Sequence, residues 1–487
     1  MKSLKATYLA LVFSILFFYS CNQDPEIRGE DIPYSITFGE RLKPENDFVW
    51  RALNSWYYWQ KDVPNLRDDF RNSKEYPSFI NFKKTDVLFH ELLYHDLDRN
   101  SWITNNGIVQ RVASNGTMAT VSTGFDFTVL KDKANRMIAL VNYVVDNTSA
   151  KNAGMKRGDV IVKVNGNLLN NNNTRQLNGT QISISVAENV QVEDSKIKYS
   201  GEKTYTLTAS AINENYIFPN LLNVESKKIA YMVYNSFTSS SRNLNYYFGE
   251  FKSRGAKELI LDLRYNSGGY VDTSVALAQM ITGNYTGQPF VKLEFNEKHQ
   301  NENTTLNMKD YISVGGSTEK INSLGLNRVF ILTSGGTASA SEIVIKCLKP
   351  YINVITIGGT TYGKYVGSHT LYDSPNDNFI DNSRRNPSHN WSIQPITFAY
   401  YDKYKSHTDL NKGMEPDYKI PYIDYVGNLD EFSNPNTRDP AIRKALELIT
   451  GKQTFSRLKR SATNDLKFVA SRKTMMPFEP EAYIELK

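Results

Sequence analysis

The sequence predicts an α/β protein of several domains: a core built on a parallel-strand α/β sheet, preceded by a β-rich domain and an N-terminal helical segment. Three observations carry the prediction. Residues 227–425 alternate short apolar runs with helical patterns, the texture of parallel strands joined by helices. Residues 118–212 hold short β-rich runs broken by turns, and residues 45–66 place apolar side chains at helical spacing. The chain has 487 residues, enough for about two to four domains of ordinary size.

Composition narrows the function classes. With 40% hydrophobic and 22% charged residues, the chain can build packed cores and is not a disordered polymer. Lys+Arg 57 against Asp+Glu 51 leaves a net +6, too slight a bias to argue for nucleic acid as a partner. Two cysteines, Cys21 and Cys347, exclude a disulfide scaffold and a cysteine-based zinc cluster. Six scattered histidines without an H-E-x-x-H leave little room for a catalytic metal, and no cofactor is called for.

The chain opens with Lys2 and Lys5, then a mostly apolar, uncharged run of 12 residues from Tyr8 to Tyr19, then Ser20-Cys21. That is the n-region and h-region of an export signal over residues 1–20, too short for a comfortable permanent span. A small residue before a cysteine resembles the lipoprotein box of bacterial lipoproteins. The resemblance implies that Cys21 carries lipid and that the protein is anchored in the cell envelope, on a periplasmic or outer-membrane face. A plain signal peptide with a chance cysteine is the alternative. Residues 21–44, polar with Pro25 and Pro33, read as a tether.

A helical domain follows over 45–115. Its first helix spans 45–66 with Pro64 as a stop, and its second spans about 83–97 with Val87, Leu88, Leu92 and Leu93 on one face. Trp56, Tyr57, Tyr58 and Trp59 read as core rather than as a groove lining.

The β-rich domain over 118–212 carries two informative stretches. Thr123-Gly-Phe-Asp-Phe127 resembles the carboxylate-binding loop of PDZ domains, and Ser149–Gly166, ending G-D-V-I-V-K-V-N-G, resembles the longer PDZ signature. The resemblance implies that Gly124, Phe125, Asp126 and Phe127 hold a peptide's free C-terminal carboxylate through backbone N–H groups, while the adjacent strand edge pairs with the peptide. The alternative is that these residues serve only turns and packing.

In the core over 227–450, Glu258–Arg264, Val329–Thr333 and Val354–Ile357 read as strands. They end in loops carrying Asn266/Gly268/Gly269, Ser339 and Lys364. Parallel strands bring such loops to one sheet edge, where catalytic groups of open α/β sheets collect. A hydroxyl, an amine and a glycine-rich loop at one edge suit acyl transfer, with a nucleophile, a base and N–H donors for an oxyanion.

Thr337-Ala-Ser-Ala-Ser-Glu342, Thr361-Tyr-Gly-Lys364, Asp262–Gly269, Gly413-Met-Glu-Pro-Asp417 and Asp439–Leu446 together resemble the S41 peptidases, the C-terminal processing serine proteases, over about 118–450. The resemblance implies Ser339 as nucleophile, Lys364 as base 25 residues later, and the Gly269 and Ala340 amides as the oxyanion hole. It implies polypeptide substrates with free C-termini. An inactive peptide-binding adaptor on the same fold is the competing expectation. Lysine is a base only when neutral, which burial favours. Ser339-x-x-Glu342 also has the form of a helix capping box, and Lys364 alone could be a surface lysine. There is no G-x-S-x-G elbow, which disfavours an α/β-hydrolase. Ser368 stands where the family often has a glutamine that helps orient the lysine, and His369 is the alternative base. Residues 451–487 read as a mildly basic, solvated tail.

Overall fold

The computed structural model describes residues 42–105, 119–452 apart from 194–195, 215, 239–240, 315, 407–408, 410, 433 and 435, then 466–475 and 482–483. The export signal, Cys21 and nearly all of the tether lie outside the described residues, as does 106–115 of the helical domain. Among the described residues no helix is long and apolar enough to cross a membrane.

Three helices open the described chain, α1 (Pro44–Trp56), α2 (Tyr76–Asn81) and α3 (Thr85–Glu91). The first ends before Pro64, because Tyr57 turns extended and Tyr58 gives its N–H to Ile396 O at 2.8 Å. Tertiary pairing takes a donor that the helix would otherwise use. Trp56, Tyr57 and Trp59 are buried, as core residues should be. The second expected helix is shorter than its pattern, and Val87 is 51% exposed whereas Leu88, Leu92 and Leu93 are buried.

The β-rich region is an antiparallel sheet whose strands run, in spatial order, Glu202–Thr208, Gln181–Ala187, Val160–Val164, Met137–Val144 and Phe125–Lys131. A short helix, α4 (Ser149–Asn152), is capped by Thr148. The sixth strand on this path is Lys467–Ser471, from the far end of the chain. This corrects the expectation of a solvated tail: the described part of 451–487 is built into the protein, and Lys473 is buried. Most of the basic stretch 452–460 lies outside the described residues.

The core sheet runs Ile217–Val224, Lys227–Tyr234, Glu258–Asp262, Arg328–Thr333, Asn353–Gly358 and Tyr418–Lys419. The first pair is an antiparallel hairpin and every later pairing is parallel. Its central strands, Lys227–Tyr234, Glu258–Asp262 and Arg328–Thr333, are apolar on both faces because both are covered. Ala230, Met232, Leu259 and Ile331 share a core with α5 (Ser241–Ser253), α6 (Val271–Thr282) and α7 (Ala340–Leu348). Tyr231, Ile260, Phe330 and Leu332 face α8 (Pro440–Thr450) instead.

A buried ionic cluster joins the β-rich region to the core. Arg157 gives hydrogen bonds to Asp439 Oδ2 (2.8 Å), Tyr265 Oη (2.9 Å) and the carbonyls of Asn142 and Asp430. Arg264 bridges Asp262 and Asp439, and Asp439 also caps α8 through Ala441 N–H at 3.0 Å. Burial alone would raise the Asp439 carboxyl, yet the Arg264 and Arg157 guanidiniums hold it below its usual range. Removing one partner of such a cluster leaves uncompensated buried charge. Asp439→Ala should therefore cost about 3–5 kcal/mol, read as a lower urea midpoint; a loss below about 1 kcal/mol, the range of a surface pair, would contradict this role.

Candidate active site

Three adjacent parallel strands, Glu258–Asp262, Arg328–Thr333 and Asn353–Gly358, deliver their following loops to one edge of the core sheet. The loops are tied to one another. Thr337 Oγ1 donates to Leu263 O (2.8 Å), Ala338 N–H to Asn266 O (3.1 Å), and Tyr362 N–H to Thr337 O (2.9 Å).

Ser339 sits at the entrance to α7 with φ 61° and ψ −116°, a backbone region that residues with a side chain seldom adopt. The strained turn exists without the G-x-S-x-G pattern. Ser339 is fully buried, and its Oγ has no hydrogen-bond partner. Ser339 and Glu342 form the capping box that the S-x-x-E pattern predicts, closed by the bond from the Ser339 N–H to the Glu342 carboxylate.

Gly268, at φ +116°, packs against this serine: a Cβ there would fall 2.7 Å from Ser339 Cβ and 3.0 Å from Oγ. Any side chain at 268 would fill the space over the hydroxyl. Gly269 follows at φ +136°, and Ala340 is the first residue of α7, where helix N–H groups lack intrahelical acceptors. The Gly268 N–H is already committed to Asn266 Oδ1 at 2.9 Å.

Lys364 is buried and is positioned through its backbone by the residue that positions Ser339. Glu342 Oε2 accepts from Ser339 N–H (2.9 Å) and Lys364 N–H (2.8 Å), while Oε1 accepts from Thr361 Oγ1 (2.5 Å) and Gly363 N–H (2.8 Å). Burial pushes the Glu342 carboxyl up, against the pull of these donors. On the opposite side of the backbone, the Tyr400 hydroxyl lies 3.1 Å from Ser339 O and 2.8 Å from Lys364 O. A carboxylate and a phenol therefore fix the nucleophile candidate and the amine candidate to one another.

Ser368 is buried and its Oγ accepts from Gln394 Nε2 at 2.9 Å, so a glutamine reaches this place from another strand. His369 is enclosed by the rings of Trp56, Phe295 and Phe398, and its Nδ1 lies 2.7 Å from Thr397 Oγ1. Burial, then the neighbouring His299, push its pKa down to about 3. The structure makes His369 part of an aromatic core. Phe125, Asp126 and Phe127 are buried in the strand that pairs with Met137–Val144, and Gly124 packs against Thr148. The Glu342 clamp had a partial signal in S-x-x-E; Tyr400 and Gln394 had none, since strand residues distant in sequence reach the site only through folding.

Two outcomes are expected. Glu342→Gln replaces an acceptor oxygen by a donor facing N–H and O–H groups, and should lower stability by about 1–3 kcal/mol; an unchanged melting temperature would remove the clamp. His369 and His299, with pKa values pushed to about 3 and about 4, are neutral in the fold where the unfolded chain binds protons. Stability should therefore fall as pH drops from about 6.5 toward 4, at about 1.4 kcal/mol per pH unit for each histidine. Thermal unfolding of His369→Phe across that range should show a shallower acid slope, and an unaltered slope would contradict the assignment.

Two family models match: Peptidase family S41 over residues 228–420 and the Peptidase S41 N-terminal domain over residues 45–102, together just over half of the chain. The second places the helical segment within the same family architecture. Among curated proteins, the "Probable CtpA-like serine protease" of Staphylococcus aureus (strain N315) is 26% identical over 241 residues, covering 47% of this chain and 42% of that protein. Its namesake in Staphylococcus epidermidis is 25% identical over 247 residues, covering 48% and 43%. The chain thus spans under half the length of these curated relatives. A crystal structure of a candidate S41 protease from Bacteroides fragilis NCTC 9343 shares the fold, with a TM-score of 0.63 at 23% identity, covering 83% of this chain and 97% of that one. The strained serine, the glycine beside it and the matching models lead to one conclusion: this chain belongs to peptidase family S41.

Proposed function

We propose that the protein is a serine endopeptidase with a Ser339–Lys364 dyad, acting on exported polypeptides near their C-termini. The observation that carries this reading is the shared Glu342 carboxylate, which accepts the backbone N–H groups of both residues, beside a buried Ser339 Oγ with no competing partner. In the proposed reaction Ser339 Oγ attacks the scissile carbonyl carbon as Lys364 Nζ takes its proton. The Gly269 and Ala340 N–H groups stabilise the oxyanion. Collapse breaks the C–N bond, and Lys364 returns the proton to the departing amine. A water, deprotonated by Lys364, then hydrolyses the acyl-enzyme.

Substrate capture in this reading falls to the β-rich region as a PDZ-like module, with the Phe125–Lys131 strand as the pairing edge and Gly124–Phe127 at its start. Residues 1–20 direct export and Cys21 carries a lipid that anchors the protein in the cell envelope. The runner-up, an inactive peptide-binding adaptor, keeps the capture step and drops the chemistry.

Incubation with a fluorophosphonate should label Ser339, and Ser339→Ala should abolish labelling. Ser339→Ala and Lys364→Ala should each lower kcat by about 10³-fold or more while keeping the circular dichroism of the parent. His369→Phe should keep most of the parental rate. Loss of activity in folded His369→Phe, or its retention in folded Lys364→Ala, would overturn the dyad; absence of labelling and turnover in the wild type would favour the adaptor.

A further inference from the structure

The described part of the C-terminal end of the chain makes contacts that no surface tail makes. Lys467–Ser471 adds antiparallel to the Phe125–Lys131 strand, with Lys467 opposite Lys131 and Ser471 opposite Thr128. The next residue continues the ladder, Arg472 N–H donating to Phe127 O at 2.9 Å. This is the edge assigned above to substrate pairing, and the segment runs along it toward Gly124–Phe127, the direction that brings a peptide's C-terminal end to that loop. The strand's other edge is taken by Met137–Val144.

Side chains then fasten the segment to the β-rich region and to the loops at the edge of the core sheet. The Phe468 ring lies against the turn before Ser339, where a Cβ on Gly335 would come within 2.7 Å of it. The Arg472 guanidinium stands 3.6 Å from Glu214 and 4.0 Å from Asp126. The buried Lys473 Nζ donates to Asn235 O (2.5 Å) and Tyr265 O (3.0 Å).

Finally, Ala482–Tyr483 runs parallel to two strands at once: Gly269–Tyr270, which carries the oxyanion glycine, and Gly367–Ser368, in the strand that follows Lys364. The chain's own backbone thus fills the gap between the two sides of the catalytic edge. Backbone ladders read an extended chain rather than a sequence, so whatever fills these two places excludes another polypeptide from both.

We propose that the C-terminal segment is a resident strand ligand: residues 466–475 occupy the capture edge, Ala482–Tyr483 occupy the slot between the oxyanion strand and the strand after Lys364, and an extended polypeptide substrate enters by displacing them. The proposal rests on the peptidase reading for the meaning of the slot. A covalently joined ligand competes at an effective concentration of about millimolar, so a free peptide with a modest affinity meets a standing competitor. The enzyme rests self-occupied, and the segment favours substrates long enough to replace it at both places.

The test uses the full-length chain. Ala470→Pro with Ala482→Pro removes backbone donors from both resident strands. In a Ser339→Ala background, a fluorescein-labelled, apolar ten-residue peptide with a free C-terminus should bind the double variant at least tenfold more tightly than the parent, by anisotropy. A synthetic peptide of residues 466–487 should compete that binding away. Folded variants that bind the probe no tighter, or more weakly, would overturn the proposal. Should the prolines prevent folding, hydrogen exchange on the Ser339→Ala chain decides. Probe at up to millimolar concentration should speed exchange at 467–471 and 482–483, and unchanged protection there overturns the proposal. Fluorophosphonate labelling of the wild type, run in parallel, reports the chemistry separately: its failure sinks the peptidase reading while the binding arms still judge the resident strand.

Discussion

One buried carboxylate organises the site. Glu342 has four hydrogen-bond donors from two stretches of chain: Ser339 N–H in the turn before α7, and the Thr361 hydroxyl with the Gly363 and Lys364 N–H groups in the loop 361–364. A buried carboxylate without partners would cost several kcal/mol. The fold therefore has a strong reason to keep those donors where they are, and with them the backbones of Ser339 and Lys364. Tyr400 repeats the constraint from the carbonyl side. The strained φ of Ser339 is sustained because its N–H, its C=O and the helix behind it are all held.

The same logic extends outward. Arg157 lies in the stretch Ser149–Gly166 that resembles the PDZ signature, yet its guanidinium reaches Asp439 at the start of α8. Asp439 in turn meets Arg264, in the loop that leads to Gly268 and Gly269. A chain of buried charge pairs therefore connects the β-rich region to the loop that carries Gly268 and Gly269, each link satisfied and none facing water. The C-terminal segment meets this connection at one residue: Lys473 bonds to Tyr265 O, and Tyr265 Oη accepts from Arg157.

What the sequence made legible followed from local rules. Apolar runs ending in small residues locate the three strands and their loops, and short β-rich runs broken by turns mark the β-rich region. Period alone overran the first helix, because no local signal tells that Tyr58 gives its N–H to Ile396. Val87 fits a helical period but not the buried face. The C-terminal segment escapes local rules for a related reason. Lys467 and Lys473 look like solvated charge, whereas the strand that pairs beside them lies more than 300 residues earlier, and the acceptors of Lys473 are main-chain carbonyls that composition does not reveal. Gln394, likewise, reaches Ser368 through a strand contact and not through any spacing.

The most direct measurement of the central claim is a crystal structure of the full chain after reaction with a peptidyl boronate. The account predicts a covalent bond from Ser339 Oγ to boron, a boronate oxygen about 3 Å from the Gly269 and Ala340 N–H groups, Lys364 Nζ within hydrogen-bond reach of Oγ, and Glu342 still holding both backbones. An adduct on another residue, or a Ser339 adduct with Lys364 released from Glu342 and turned away, would contradict it.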